Sequence, residues 1–252
     1  MKKGLFFLIC LLILFSCGGD KRNIEEAQFE QHENYSVPDK QIGYEFYWNG
    51  SDYYPIGWSR DGIIAFRKFT SFDGIGGCLD EVIIQSMITD KIIKVIKLDE
   101  ARGDDDNVDW DQHCNLEQTW NRESRAILKY LNRYEVEDNS FGELMKSKEI
   151  ITNIGDFKIK LSQYTERIYE NDDYNQIEYT LKVYLNGKSK KISQEIISAH
   201  NIDYLGYYKS PFEDRVMIVL QFQDSQEGEY SHNGGIITVG CSLNPKDWSS
   251  KD

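Results

Sequence analysis

Proline is scarce, with four in 252 residues, and histidine is equally rare. Aromatic residues are plentiful, with 16 Tyr, 12 Phe and 5 Trp. That balance belongs to a globular chain and excludes a disordered one. Positive charge is in deficit: 29 Lys and Arg stand against 42 Asp and Glu, a formal charge of −13. Such a surface repels nucleic acid and anionic headgroups, so membrane attachment through a basic patch is disfavoured. No Gly-x-Ser-x-Gly elbow and no Gly-x-x-x-x-Gly-Lys phosphate loop occurs. His113-Cys114 has no second His/Cys pair at ligand spacing, since His200 and His232 stand alone. The chain therefore carries no signature of nucleophilic, nucleotide-dependent or metal-dependent chemistry.

Only one apolar run is long, Leu5 to Phe15. It is roughly half of the ~20 residues that a bilayer requires. Met1-Lys2-Lys3 precedes it and the small residue Ser16 follows, which is the layout of an export signal. Leu14-Phe15-Ser16-Cys17 resembles the lipobox of bacterial lipoproteins, although Phe15 is bulkier than usual at its position. The resemblance implies removal of residues 1–16. It also implies that Cys17 becomes the first mature residue, carrying diacylglycerol and an N-acyl chain. Each buried methylene contributes ~0.8 kcal/mol, so such an anchor does not release. The expected location is the cell envelope, on the inner or outer membrane, with the domain in the periplasm or at the cell surface.

Gly18 to Lys40 is polar and charged, without apolar periodicity. Residues 17–41 are expected to form a lipidated tether with a root-mean-square reach of roughly 25–30 Å. A single β-rich globular domain, 42–252, follows. Ile42 to Trp48 reads as a strand closed by the turn Asn49-Gly50. Tyr53 to Ser59 and Ile63 to Phe69 flank the turn Arg60-Asp61-Gly62. Glu81 to Ile88 and Ile92 to Leu98 read as a hairpin about Thr89-Asp90-Lys91. The unbroken run Val82-Ile83-Ile84 suggests a central strand covered on both faces.

Asn115 with Gln118 forms a capping-box pattern. Leu116, Trp120, Ile127, Leu131 and Tyr134 then recur at helical spacing, which predicts one main helix over about 116–134. A short second helix is expected within Phe141 to Ile150. The remainder reads as strands. Asn186-Gly187 gives the strongest hairpin signal, because both central residues of a type I′ turn need positive φ. The tail from Asn244 is polar, with Trp248 placed to pack back. The fold class expected is α+β, mostly antiparallel sheet.

Two segments echo each other: Ile56 to Ile84, and Leu205 to Val239, each with a turn, an apolar strand, a Gly-rich loop and a second apolar strand. Trp58 to Phe66 also resembles a blade hairpin of TolB-type propellers. Two such hairpins separated by a helix fall short of the four or more blades that a propeller closes with.

The acidic stretch 104–111 places Asp105, Asn107, Asp109 and Asp111 at alternate positions, as in a calcium loop. Trp110 stands where that loop needs Gly, and Leu116 where it needs Glu, so the reading favours a solvated acidic loop and no metal. The cluster Tyr44, Phe46, Tyr47, Trp48, Tyr53 and Tyr54 suits glycan or protein contact, or simply the core. With Cys10 removed and Cys17 lipidated, Cys78, Cys114 and Cys241 remain. Cys78 precedes one hairpin strand and Cys114 follows the other, so the expected disulfide is Cys78–Cys114. Cys241 continues the alternate face of Ile237 and Val239 as a buried thiol. The functional expectation is a non-catalytic binding or interaction lipoprotein with no cofactor. Its partners would be the bilayer, through acylated Cys17, and an envelope protein or glycan. The alternative is an exported hydrolase with calcium in the acidic loop.

Overall fold

The computed structural model describes residues 51–71, 77–102, 113–138, 140–167, 175–199, 201–223 and 234–248. Two compact units are distinguished, Met1–Ser36 and Val37–Asp252, and every described residue belongs to the second. Cys17, Tyr44 to Trp48 and the acidic residues Asp105, Asn107, Asp109 and Asp111 lie outside the described residues.

Antiparallel strands and one long helix make up the described chain, an α+β fold dominated by sheet. The first sheet holds β1 (Ser51–Trp58), β2 (Ile63–Ser71), β3 (Gly77–Ser86), β4 (Ile92–Arg102) and the two-residue β5 (Glu137–Asp138), in the order β4-β3-β2-β1-β5. Another is the meander β6 (Glu149–Thr152), β7 (Gly155–Arg167), β8 (Asn175–Leu185) and β9 (Lys188–Ser198). The last is the meander β10 (Asn201–Lys209), β11 (Arg215–Gln223) and β12 (Gly234–Ser242). The echo in the sequence corresponds to β1-β2-β3 and β10-β11-β12, each a three-strand antiparallel run with a register shift beside a glycine, Gly57 and Gly206.

The β10–β12 sheet is the middle layer. Alternate residues of β11 show this directly. Val216, Ile218 and Leu220 join a core with Phe157, Ile159, Ile177, Tyr179, Leu181 and Val183 of the β6–β9 sheet. Met217 and Val219 join Trp58, Ile64, Phe66 and Ile83 of the first sheet. A strand covered on both faces must be apolar at successive positions, which is why β11 reads Val216-Met217-Ile218-Val219-Leu220 without a polar break. Each such side chain, fully buried, contributes about 1.5–3 kcal/mol.

Helix α1 (Leu116–Arg133) packs against β4, so it covers the first sheet on the face away from the middle layer. Asn115 caps it, its side-chain oxygen accepting from Gln118 N at 3.0 Å. Thr119, Trp120, Ile127, Leu128 and Leu131 are buried, while Leu116 and Tyr134 at the two ends are half-buried. The expected second helix within Phe141 to Ile150 does not form. That segment runs extended, bonds Met145 to Tyr207 in an isolated bridge and ends in β6. Its apolar residues are drawn to a sheet edge and an aromatic contact, with the Phe141 ring tilted at 5.5 Å from Trp58 and edge-on at 5.2 Å from Tyr208. Tertiary partners thus override a weak local helical pattern. Asn186 and Gly187 take φ of 48° and 79° and close the β8–β9 hairpin. Trp248 packs back, donating Nε1–H to Ser242 O at 2.9 Å and meeting Phe157 edge-on at 5.7 Å.

Candidate binding cleft

β12 is the open edge of the middle sheet, and its outward backbone groups meet side chains of the first sheet. Ile236 N–H donates to Tyr53 Oη at 3.2 Å. Gln85 Nε2 donates to Thr238 O at 3.3 Å, while Thr238 Oγ1 donates to Gln85 Oε1 at 2.6 Å. Gly240 N–H donates to Asp90 Oδ1 at 2.6 Å. An exposed strand edge is a template for unwanted pairing, and this row of side chains closes it. Gly240 is required by the close approach, because a Cβ there would overlap the Met87 carbonyl. Asp90 holds the turn with φ 59°, a conformation that Asp and Asn tolerate better than most residues.

Beside this row the first sheet and the middle sheet diverge, and β9 closes the third side. The cleft between them is about 600 Å³, within the range of small-ligand sites. Registers fix its floor. Ile64, Gln85 and Ile92 lie opposite one another across β2, β3 and β4, and Phe66, Ile83 and Val95 form the next row. Tyr53, Lys68, Glu81 and Lys97 form the row beyond. Ile236 and Val239 supply the apolar wall from β12, and Ser193, Gln194 and Glu195 face it from β9. Tyr179 Oη pairs with Ser193 Oγ at 3.1 Å, and burial pushes that phenol up to about 12. Burial raises the Asp90 carboxyl above its ordinary value, against the Gly240 N–H bond and the Arg215 charge, and the Glu195 charge adds to the rise.

A second polar cluster lies on the helix side of the first sheet. Arg67 and Asp80, both fully buried, form a bidentate pair, with Arg67 Nε at 2.8 Å from Asp80 Oδ1. Arg67 also donates to Leu116 O at 2.8 Å and lies 5.4 Å from the Trp120 ring centre. Asp99 collects Glu100 N–H, His113 Nδ1, Cys114 N–H and Thr119 Oγ1, with Arg122 at 3.4 Å. Burial works to raise the Asp99 carboxyl. The hydrogen bonds from His113 and Cys114 and the charges of His113 and Arg122 together outweigh it and hold that carboxyl below its ordinary value. Arg67 reaches Leu116 O, and Asp99 reaches Cys114 N–H and Thr119 Oγ1, so the cluster fixes the start of α1 to the sheet.

Cys78 and Cys114 are bonded, with Cα atoms 5.6 Å apart, and Cys241 is free and buried. Cys78 pairs with Ala101 across the β3–β4 ladder, in which two register shifts each carry β4 one residue further than the Gln85↔Ile92 pairing alone would place it. Among the described residues, no group of three or more His, Cys, Asp or Glu is placed to hold a metal. None of the described helices is long and apolar enough to cross a membrane. Tyr53 and Tyr54 are core residues, Tyr53 with its hydroxyl on the β12 edge. Sequence reasoning did not single out Lys68, Gln85, Asp90 or Glu195. Each is an ordinary polar residue on a strand or turn, and only the meeting of three sheets brings them to one cleft. The chain matches no family model, and no curated protein or solved structure is significantly similar to it.

Proposed function

We propose that this chain is a lipid-anchored cell-envelope lipoprotein whose β-rich domain binds a ligand without chemical conversion. The observation that carries the binding role is the cleft between the first sheet, β12 and β9, an apolar floor bordered by a few polar groups. The lipobox-like Leu14-Phe15-Ser16-Cys17 supports the anchor, with the bilayer as the permanent partner and an envelope protein or glycan as the other. A binding module fits the polar chemistry present, since the buried charges Arg67, Asp80 and Asp99 are engaged in fixing α1. The test is recovery of the intact lipoprotein from solubilised envelopes, followed by native mass spectrometry of the wild type and of Thr89→Trp, which narrows the cleft. A retained molecule that the variant loses is the expected result. Equal retention, or none in either, overturns the cleft as the binding site.

A further inference from the structure

Phe157, Ile159, Tyr179, Leu181 and Val183 turn the inner face of the β6–β9 sheet to the core, so the alternate residues take the outer face. Registers order that face into rows. Lys160, Lys182 and Lys191 lie directly opposite one another across β7, β8 and β9. Ser162, Thr180 and Gln194 form the next row, and Tyr164, Glu178 and Ile196 the one after. Lys160 and Lys191 are exposed and Lys182 is half-buried. Like charges directly opposite on neighbouring strands repel, and no carboxylate stands in this row. Among the described residues no ion pair engages Lys160 or Lys182, and Lys191 donates to the neutral Gln194 Oε1 at 2.7 Å. The row depends on a bulge. Leu181 pairs with Ser193 but Lys182 with Lys191, so Ile192 is an extra residue. A regular ladder would set Ile192 opposite Lys182 and turn Lys191 to the inner face. Bulges re-aim side chains in this way beside functional sites.

From this arrangement we infer that the lysine row binds a single chain of an anionic glycan, laid across β7, β8 and β9. Two interstrand spacings spread the three lysines over roughly 10 Å. Carboxylates bound the row on both sides. Toward the β6–β7 turn stand Asp156 and Glu149, the latter 3.4 Å from Lys158. Two rows the other way is Glu178, which accepts from Gln194 Nε2 at 2.6 Å. The positive band is therefore narrow, which suits one polymer strand and opposes a plane of anionic headgroups. At the centre of the row, β8 is paired on both sides, so its backbone is closed to a peptide and recognition falls to side chains. The hydroxyls of Ser162 and Thr180 and the exposed Tyr164 ring stand beside the row, suited to sugar hydroxyls and ring faces. The net charge of −13 acts at long range, whereas the row acts at contact, within the ~10 Å screening length of 0.1 M salt. This site goes beyond the cleft and does not rest on it.

Titration of the full-length lipoprotein in detergent with polygalacturonate tests this, with neutral dextran and poly-L-glutamate as comparison polymers. Polygalacturonate is expected to bind most tightly and dextran not at all, and raised ionic strength should weaken the binding. In Lys160→Gln/Lys182→Gln/Lys191→Gln the affinity for polygalacturonate should fall about tenfold, the combined effect of three exposed ion pairs. Circular dichroism checks that the variant folds. Thr89→Trp should bind polygalacturonate as the wild type does, which separates this face from the cleft. Equal binding by the wild type and the triple variant, indifference to salt, or no binding of polygalacturonate overturns the inference and leaves the cleft reading standing. Poly-L-glutamate bound as tightly as polygalacturonate overturns the glycan class in favour of an acidic polypeptide.

Discussion

Two aspartates, Asp90 in the β3–β4 turn and Asp99 on β4, respond to their surroundings in opposite senses. The folded state raises the Asp90 carboxyl by burial and holds Asp99 below its ordinary value by hydrogen bonds and nearby positive charge that overcome burial. A raised carboxyl contributes stability below the unfolded value of about 3.9 and loses it as pH rises through the folded value. Asp90→Asn should therefore be more stable than the wild type at pH 7, with the gain gone near pH 3. A depressed carboxyl contributes above the unfolded value and loses that as pH falls, so Asp99→Asn should be less stable at pH 7 and converge on the wild type in acid. Denaturant titrations at both pH values check both signs. The Arg67–Asp80 pair is a different case. Removing one partner strands the other charge in the core, and Asp80→Ala should cost about 3–5 kcal/mol, whereas replacing both with apolar residues should cost much less. A double-mutant cycle measures the difference.

At the scale of elements, α1 is held to the sheet by the Cys78–Cys114 bond, the Asp99 cluster and Trp120 under Arg67. The bond closes a loop spanning 36 positions, worth about 3–4 kcal/mol on the chain-entropy model. Reduction, or Cys78→Ala/Cys114→Ala, should lower stability by about that amount and loosen α1 first. Hydrogen exchange should show the amides of 116–133 deprotected before those of β8 or β11. The long hairpins were legible in the sequence because their signals are local: Asn186-Gly187 demands its turn, and alternation in Phe157 to Leu161 demands a strand. The irregular course of segment 141–150 was not legible in the sequence, because its conformation is set by Tyr207, Trp58 and Tyr208, all distant in the chain.

For the whole molecule, the proposed anchor predicts that the protein takes up radiolabelled fatty acid and that Cys17→Ser does not. A wild-type chain without label and without a processed N-terminus would remove the lipoprotein assignment. The acidic stretch 104–111 predicts no saturable change of melting temperature in millimolar calcium. Such a shift, abolished by Asp109→Asn, would revive the hydrolase alternative, since a ligand that binds only the native state must raise its stability by mass action.

Local chemistry in the sequence determined a good deal by itself. It fixed the β-rich class, the helix with its Asn115 cap, the hairpin turns and the apolar runs that had to be covered on both faces. These follow from backbone propensity and side-chain period, which act over a few residues. The pairing of Cys78 with Cys114 was within reach because one hairpin relates them. Tertiary structure alone decided that three antiparallel sheets stack with β10–β12 in the middle. It also decided that the β12 edge is closed by Tyr53, Gln85 and Asp90, and that Lys68 and Glu195 border one cleft. Contacts between residues some 150 positions apart, such as Gln85 with Thr238, are selected by the packing of whole sheets. No local pattern encodes them, since each partner taken alone is an unremarkable polar residue on a strand.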